Sequence, residues 1–259
     1  DTDNRTYEWE GPVVPLSSAG FDAGVFLLNG DSANGGAGFI HSAYIEAVNF
    51  FEREKVKTDW WNRTLKVVWP DRADYFHSIG WGVHLTNAKA WDVNLHEFGH
   101  MVVAAATESY GGGGEHKIDE CYGTDLAWTE GFPTFLAAAI HLDKADPDAK
   151  FEYLVPRRAP IRIENVPADV CHGVRNEWRL AAAMWDVYDT NEDGQDHLAL
   201  SFIRLWNSIL GQRIEGVRDA IGLIEKNLTQ DEWKLAQAVW IQNTMNENVA
   251  SSKIRKPPP

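Results

Sequence analysis

The sequence is poor in cysteine, lacks long apolar runs and carries few basic residues relative to acidic ones. Two cysteines among 259 residues allow at most one disulfide within the chain. No apolar run reaches the roughly 20 residues that cross a bilayer, so we predict no membrane span. With 24 basic and 38 acidic residues the net charge is −14, which repels phosphate backbones and disfavours nucleic-acid binding.

Three sequons and the cysteine pair bear on the compartment. Each sequon has threonine two residues after its asparagine, at Asn4, Asn62 and Asn227. In an intracellular enzyme Cys121 and Cys171 could both be reduced and buried, whereas in a secreted protein they would be joined. Together these features lead us to expect a secreted or extracellular protein.

Periodicity and turn residues predict strands and helices early in the chain and helices alone later. The predicted strands cover 24–28, 65–69 and 79–86, and a glycine-rich break is expected at 35–38. Helices are predicted over 39–57, 88–107, 131–142, 175–188, 197–210, 215–227 and 230–246. This order indicates an α+β fold in one domain, 1–250, followed by a tail or linker at 251–259.

The segment His96-Glu97-Phe98-Gly99-His100 is the strongest chemical signal. Residues four apart share one helix face, so the imidazoles of His96 and His100 can reach one ion. Zinc suits nitrogen ligands with an open position for water, and Glu97, rotated by about 100°, lies beside the ion as general base. Thr86 or Asn87 is the expected cap of this helix.

This motif resembles the active helix of the zincin metallopeptidases. Trp128-Thr129-Glu130-Gly131-Phe132 is similar to the stretch that supplies a glutamate ligand in the thermolysin-like branch, the gluzincins. The resemblance implies a zincin-like fold, with a mixed N-terminal lobe at about 1–110 and a mainly helical C-terminal lobe at about 111–250. It also implies one zinc per chain, bound by His96, His100 and Glu130. The metzincin branch is disfavoured because it would need a histidine and a glycine at the positions that Ala106 and Val103 occupy in this sequence.

An independent argument for Glu130 is that an unpaired charge beside an apolar helix is costly. Pro133 suits a first helical turn, so Glu130 is expected at a helix start, where the alternative role is a favourable dipole contact. Where thermolysin-like proteins have a histidine-orienting aspartate, this chain has Thr134. A glycine-rich loop at 111–114 follows the histidine helix, and the competing ligands in or near it are Glu108, His116, Asp119 and Glu120.

Two further sites are less closely defined by the sequence. Zincins often stabilise the reaction oxyanion with a tyrosine, histidine or arginine, and the candidates are Tyr122, His172, Arg179 and Tyr188. We favour His172 as this second catalytic residue because Cys171 precedes it and a disulfide would bring it near Tyr122.

The segment from Asp189 to Gly194 matches half of a calcium loop, with oxygen ligands expected at Asp189, Asn191 and Asp193. The glutamate required at the twelfth position is replaced by Leu200, so a solvated acidic turn is the alternative.

We therefore expect a zinc metallopeptidase whose partner is a peptide or protein substrate. The rival is a non-catalytic binding or adhesion module that uses a zincin-like fold. A third interpretation is hydrolysis of a non-peptide amide.

Overall fold

The computed structural model describes residues 32–109 and 113–245. Its seven α-helices are α1 Ala33–Arg53, α2 Trp91–Ala106, α3 Thr124–His141, α4 Glu177–Asp186, α5 Phe202–Ile209, α6 Val217–Glu225 and α7 Gln230–Thr244. Its short strands are β1 Lys66–Val68, β2 Tyr75–His77, β3 Gly82–His84, β4 Glu108–Ser109, β5 Lys150–Phe151, β6 Ile161–Arg162 and β7 Arg213–Ile214.

This architecture is mixed α+β and mostly helical, which confirms the predicted α+β class. The four helices predicted after residue 170 correspond to α4–α7, with ends shifted by a few residues. The strand predicted at 24–28 and the tail at 251–259 lie outside the described residues.

The largest sheet has three strands in the order β1-β3-β2. β1 runs parallel to β3, and β2 runs antiparallel to it. β1 and β3 fall within the predicted strands 65–69 and 79–86. Sequence patterning missed β2, because its three residues alternate exposed, half-buried and exposed, with only Phe76 turned inward. β2 is therefore an edge strand of this sheet, and it contacts α2.

The helix that carries the histidine motif, α2, starts later than predicted. Its N-cap is Ala90, which makes no side-chain capping bond, so the prediction of Thr86 or Asn87 as the cap is wrong. Thr86 instead binds Asp74, whose carboxylate accepts from the Thr86 amide at 2.6 Å and from its hydroxyl at 2.9 Å. Thr86 is therefore not available as a helix cap, because its amide and hydroxyl hydrogen-bond to a residue from a different part of the chain.

The central helix, α3, packs against α2 and α4. It begins at Thr124, seven residues before the predicted start, so Pro133 lies inside the helix rather than in its first turn. The expectation that Glu130 marks a helix start is therefore wrong. Proline removes one backbone hydrogen bond from the helix, but nearly every residue from Leu126 to Ile140 is buried, and this packing maintains the helix.

α1 also runs through residues that predicted a break. It begins at Ala33 with Ser32 as N-cap, whose hydroxyl accepts from the Gly35 amide at 3.0 Å. A side chain at Gly36 would collide with the Trp69 ring. Glycine is a poor helix former, and the close approach of the Trp69 ring explains why a glycine occupies position 36 within this helix.

Buried apolar side chains from all seven helices form one large core cluster. Cys121 and Cys171, whose pairing the sequence left open, form a disulfide across 50 residues. Among the described helices, none is both long enough and apolar enough to span a membrane.

Candidate metal centre

His96 and His100 lie one turn apart on α2 with their imidazoles directed at the same point. Their Nε2 atoms are 3.1 Å apart, and the two rings are nearly perpendicular. His96 is only 8% exposed. Two ring nitrogens at this separation, inside the protein, can approach one ion from two directions.

Glu130 of α3 completes the group from the facing helix. Its Oε2 lies 3.3 Å from His96 Nε2 and 3.2 Å from His100 Nε2. Tetrahedral zinc with bonds of about 2.0–2.1 Å separates its ligands by about 3.3–3.4 Å. The three ligand atoms thus form a triangle whose edges match a tetrahedral site.

Two glycines allow α3 to approach both α2 and α4 closely. A Cβ at Gly99 of α2 would lie 2.7 Å from Pro133 Cα, so the backbones of α2 and α3 touch there. A Cβ at Gly131 of α3 would lie 2.7 Å from the Glu177 carbonyl oxygen of α4. Gly99 is thus a point of close backbone approach between α2 and α3.

Thr134 occupies the place where the gluzincin pattern has an aspartate, and it performs a comparable contact. Its buried Oγ1 lies 3.0 Å from His96 Nδ1. A hydrogen bond donated from Nδ1 to the hydroxyl fixes the ring orientation and leaves Nε2 free to bind an ion.

Glu97 lies beside the group and not within the triangle. It is 7% exposed, and among the described residues its buried Oε2 has no hydrogen-bond partner. Burial raises the pKa of Glu97, and the nearby histidines His100 and His96 oppose that rise. His96, Glu97 and His100 also bring one ligand atom each within 4.8 Å of one another.

The charges of the group favour a cation. Burial alone would lower the pKa of His100, but the carboxylates of Glu130, Glu97 and Glu177, with Glu130 contributing most, together raise that pKa to about 9. Burial would raise the pKa of Glu130, but the two imidazoles hold it well below its usual range. The carboxylate thus attracts whichever cation occupies this space, and a metal ion would replace the protons.

His116, one of the competing ligands expected from the sequence, and Glu177, which the sequence did not single out, both reach the site. His116 Nε2 lies 3.7 Å from Glu130 Oε2 and 3.2 Å from Glu177 Oε2. The three side chains form a second group whose ligand atoms lie within 4.8 Å of one another. Burial, then the Glu130 charge, raises the pKa of Glu177 well above its usual value. The one signal for Glu177 was an acid at the start of an apolar helix.

The structure does not bring His172 to this group. Its exposed ring contacts the Ala168 carbonyl oxygen at 3.3 Å beside the disulfide, and His172 is not among the described residues that line the cleft. The other oxyanion candidates are engaged elsewhere. Tyr122 donates to Glu120, Arg179 donates to backbone carbonyls from a buried position, and Tyr188 lies in the aromatic core. The competing ligands Glu108, Asp119 and Glu120 lie in a strand pair or in ion pairs.

The metal centre opens into a cleft of about 710 Å³. One wall is β2, and another is the segment 153–156. Asp92, in the first turn of α2, holds the latter wall, because its Oδ2 accepts from the backbone amides of residues 152, 153 and 154 at 2.9, 2.6 and 3.0 Å. The cleft wall and the histidine helix are thus joined by a buried carboxylate.

No protein-family model matches the chain, and no curated protein or solved structure matches it significantly. The site is therefore defined by its own geometry, as a buried group of histidine and glutamate side chains able to hold a metal ion.

Proposed function

We propose that the chain is a zinc-dependent metallopeptidase of the gluzincin type. His96, His100 and Glu130 would bind the metal, and Glu97 would act as general base. The observation that carries the proposal is the ligand triangle of 3.1, 3.2 and 3.3 Å, assembled from two helices within the protein. Two nitrogens and one carboxylate oxygen are a ligand set that zinc enzymes use.

Bound zinc would supply Lewis acidity, which lowers the pKa of water and polarises a carbonyl group. Glu97 would take a proton from the attacking water as the oxygen–carbon bond forms. The same carboxyl group would then deliver that proton to the amide nitrogen as the carbon–nitrogen bond breaks. A buried carboxylate oxygen without a partner is costly for folding, and a catalytic role accounts for it.

His116 is the better candidate for the group that faces the reaction oxyanion. Its ring borders the cleft, its Nδ1 lies 2.9 Å from the Gly114 carbonyl oxygen, and its Nε2 lies 3.2 Å from Glu177 Oε2. The Nε2–H group would therefore have to exchange Glu177 for the oxyanion in order to stabilise its negative charge.

A peptide is the substrate class that the cleft suits. The edge strand β2 lines it, and such a strand presents unpaired backbone groups to which an extended chain can add as another strand. The disulfide between Cys121 and Cys171 supports an oxidising compartment, so we propose that the enzyme acts after export.

A binding module with a structural metal is the alternative function. Such a module would not need Glu97 beside the ion, nor an open cleft at the ligands. A substrate that is a small amide rather than a peptide would leave the same residues in the same roles.

The test compares Glu97→Gln with His96→Ala in the full chain. Glu97→Gln should retain about one zinc per chain by mass spectrometry and lose roughly 10²–10⁴-fold of its peptide cleavage rate. His96→Ala should lose the metal, because the remaining two ligands form an incomplete site. Glu215→Gln serves as the matched control, because Glu215 is an exposed acid that pairs with Arg213 and is not among the described residues that line the cleft.

Cleavage is read on a mixed peptide library before and after treatment with a chelator. Zinc binding without any cleavage by the wild type would favour the binding module. Undiminished turnover by Glu97→Gln would refute the assignment of Glu97 as the general base. Cleavage of small amides but not of peptides would change the proposed substrate class from peptides to small amides.

A further inference from the structure

A second set of acidic side chains lies remote from the metal centre, around the turn that follows α4. Its four buried members are Glu164, Asp186, Asp189 and Asp196, and its half-buried member is Asp193. Among the described residues, none of these five carboxylates forms an ion pair with a lysine or arginine. Such a concentration of negative charge without a counter-charge is unfavourable in the interior.

Asp189 is the most informative member. It is 1% exposed, and within the described part of the chain no amide, hydroxyl or cationic group donates to its carboxylate, whose hydrogen-bond neighbours are the carboxyl groups of Asp196 and Glu164. Its carboxylate faces those of Glu164 and Asp196, which are acceptors like itself. Oδ1 of Asp186 is likewise buried without a partner among these residues. Orphaned buried oxygens of this kind point to a missing donor or cation.

From this arrangement we propose a structural calcium site formed by Asp189, Asp193, Asp196 and Glu164. The sequence pattern lacks the glutamate of a calcium loop at Leu200, and the fold supplies carboxylates from elsewhere instead. Glu164 comes from the segment after β6, where Trp185 Nε1 donates to its Oε2 at 2.7 Å and Asn191 donates to its Oε1.

The loop itself has the conformation that calcium loops need. Gly194, the sixth residue counted from Asp189, has a φ of +51°, a region that glycine occupies readily. Asp193 and Gln195 are fixed by Gln242 of α7, whose amide donates to Asp193 at 3.0 Å and whose carbonyl accepts from the Gln195 amide. The turn is therefore tied to α7 before any ion binds.

The all-oxygen donor set of these acids suits calcium rather than zinc. Among the described residues, no three of the acids bring one oxygen each within 4.8 Å of one another, so a bound ion would draw their carboxylates closer together. Calcium binds six to eight oxygens at about 2.3–2.6 Å. Backbone carbonyls and water would complete such a shell.

The test measures calcium binding to the zinc-loaded full chain after treatment with a calcium-selective chelator. Calcium at about a hundredfold excess over its Kd should raise Tm by roughly 5–10 °C. Asp189→Asn should weaken calcium affinity at least tenfold while zinc content stays unchanged. Asp148→Asn, at an exposed acid that already pairs with Lys150, is the control and should bind calcium as the wild type does.

Terbium luminescence provides a readout that does not depend on a variant that folds. Trp185 contacts Glu164, so its excitation should sensitise terbium bound at this site, and calcium should quench the signal by displacement. Equal Tm values with calcium and with chelator, together with absent terbium luminescence, would overturn the proposal. A more stable Asp189→Asn without any calcium response would show instead that the acids are simply protonated. Neither result depends on whether the zinc site is catalytic, because zinc content is measured separately.

Discussion

Replacing Gly99 by alanine should push α2 away from α3 and loosen the metal centre. The new Cβ would lie 2.7 Å from Pro133 Cα and 2.8 Å from Pro133 Cβ. Carbon atoms pack at about 3.5–4.0 Å, so the helices must separate by roughly 0.8 Å or more. If that shift reaches Glu130, its distances to the imidazoles grow from 3.2 and 3.3 Å to about 4 Å.

The expected effect on stability combines two opposed terms. Overpacking costs about 1–3 kcal/mol, and exchanging glycine for alanine within a helix returns about 1 kcal/mol. The net loss is about 0–2 kcal/mol, which lowers Tm by up to roughly 8 °C in a chain of this size. Zinc affinity should fall by about 10–100-fold, the size of effect seen when groups that orient ligands are disturbed.

Gly222→Ala is the matched control, because Gly222 is also buried within a helix but a Cβ there would meet no atom within 4 Å. This variant should gain about 0.5–1 kcal/mol and bind zinc as the wild type does. Thermal unfolding and zinc titration of both variants decide the matter. If Gly99→Ala is stabilised like Gly222→Ala and keeps wild-type zinc affinity, the close contact between α2 and α3 is refuted.

Two further predictions concern single hydrogen-bonding groups. Thr134→Val removes the hydroxyl at His96 Nδ1 while keeping the side-chain volume nearly constant, and it should weaken zinc affinity about 10–100-fold. The affinity is measured by competition with a chromogenic chelator. Unchanged affinity would show that this contact does not orient the ring. Glu232 caps α7 through Thr229 and pairs with Arg204, and these contacts, the Arg204 bond first, lower its pKa to about 2. Its stabilisation is therefore complete above the ordinary glutamate pKa of about 4.3 and is lost as pH falls toward 2. Glu232→Gln should cost about 1 kcal/mol at neutral pH and almost nothing near pH 2 in urea unfolding, and a cost that does not vary with pH would contradict a role for the charge.

The local part of the site was predictable because it depends on one helix. The spacing of His96 and His100 determines a shared face as soon as the segment is helical, whatever surrounds it. Their burial was indicated by the apolar residues that follow. The place of Glu130 in the group came from resemblance, since the sequence alone could not say how α3 packs on α2.

The parts that were missed depend on contacts between distant segments. His116 lies after a glycine-rich stretch, and only the approach of α4 to α3 at Gly131 brings Glu177 within reach of it. The start of α3 was misplaced because Pro133 locally favours a first turn, whereas burial on both sides keeps the helix intact around it. The disulfide between Cys121 and Cys171, by contrast, is the one expected of a secreted protein with two cysteines.

The attachment of the cleft wall by Asp92 has a consequence for how this protein can change. The carboxylate holds residues 152–154 through their backbone amides and Leu154 is buried in the core, so the exposed side chain of Tyr153 does not determine the position of the segment. Replacing Tyr153 can therefore reshape the cleft while the histidines remain where they are. The shape of the cleft and the geometry of the histidine pair can thus vary independently in descendants of this chain.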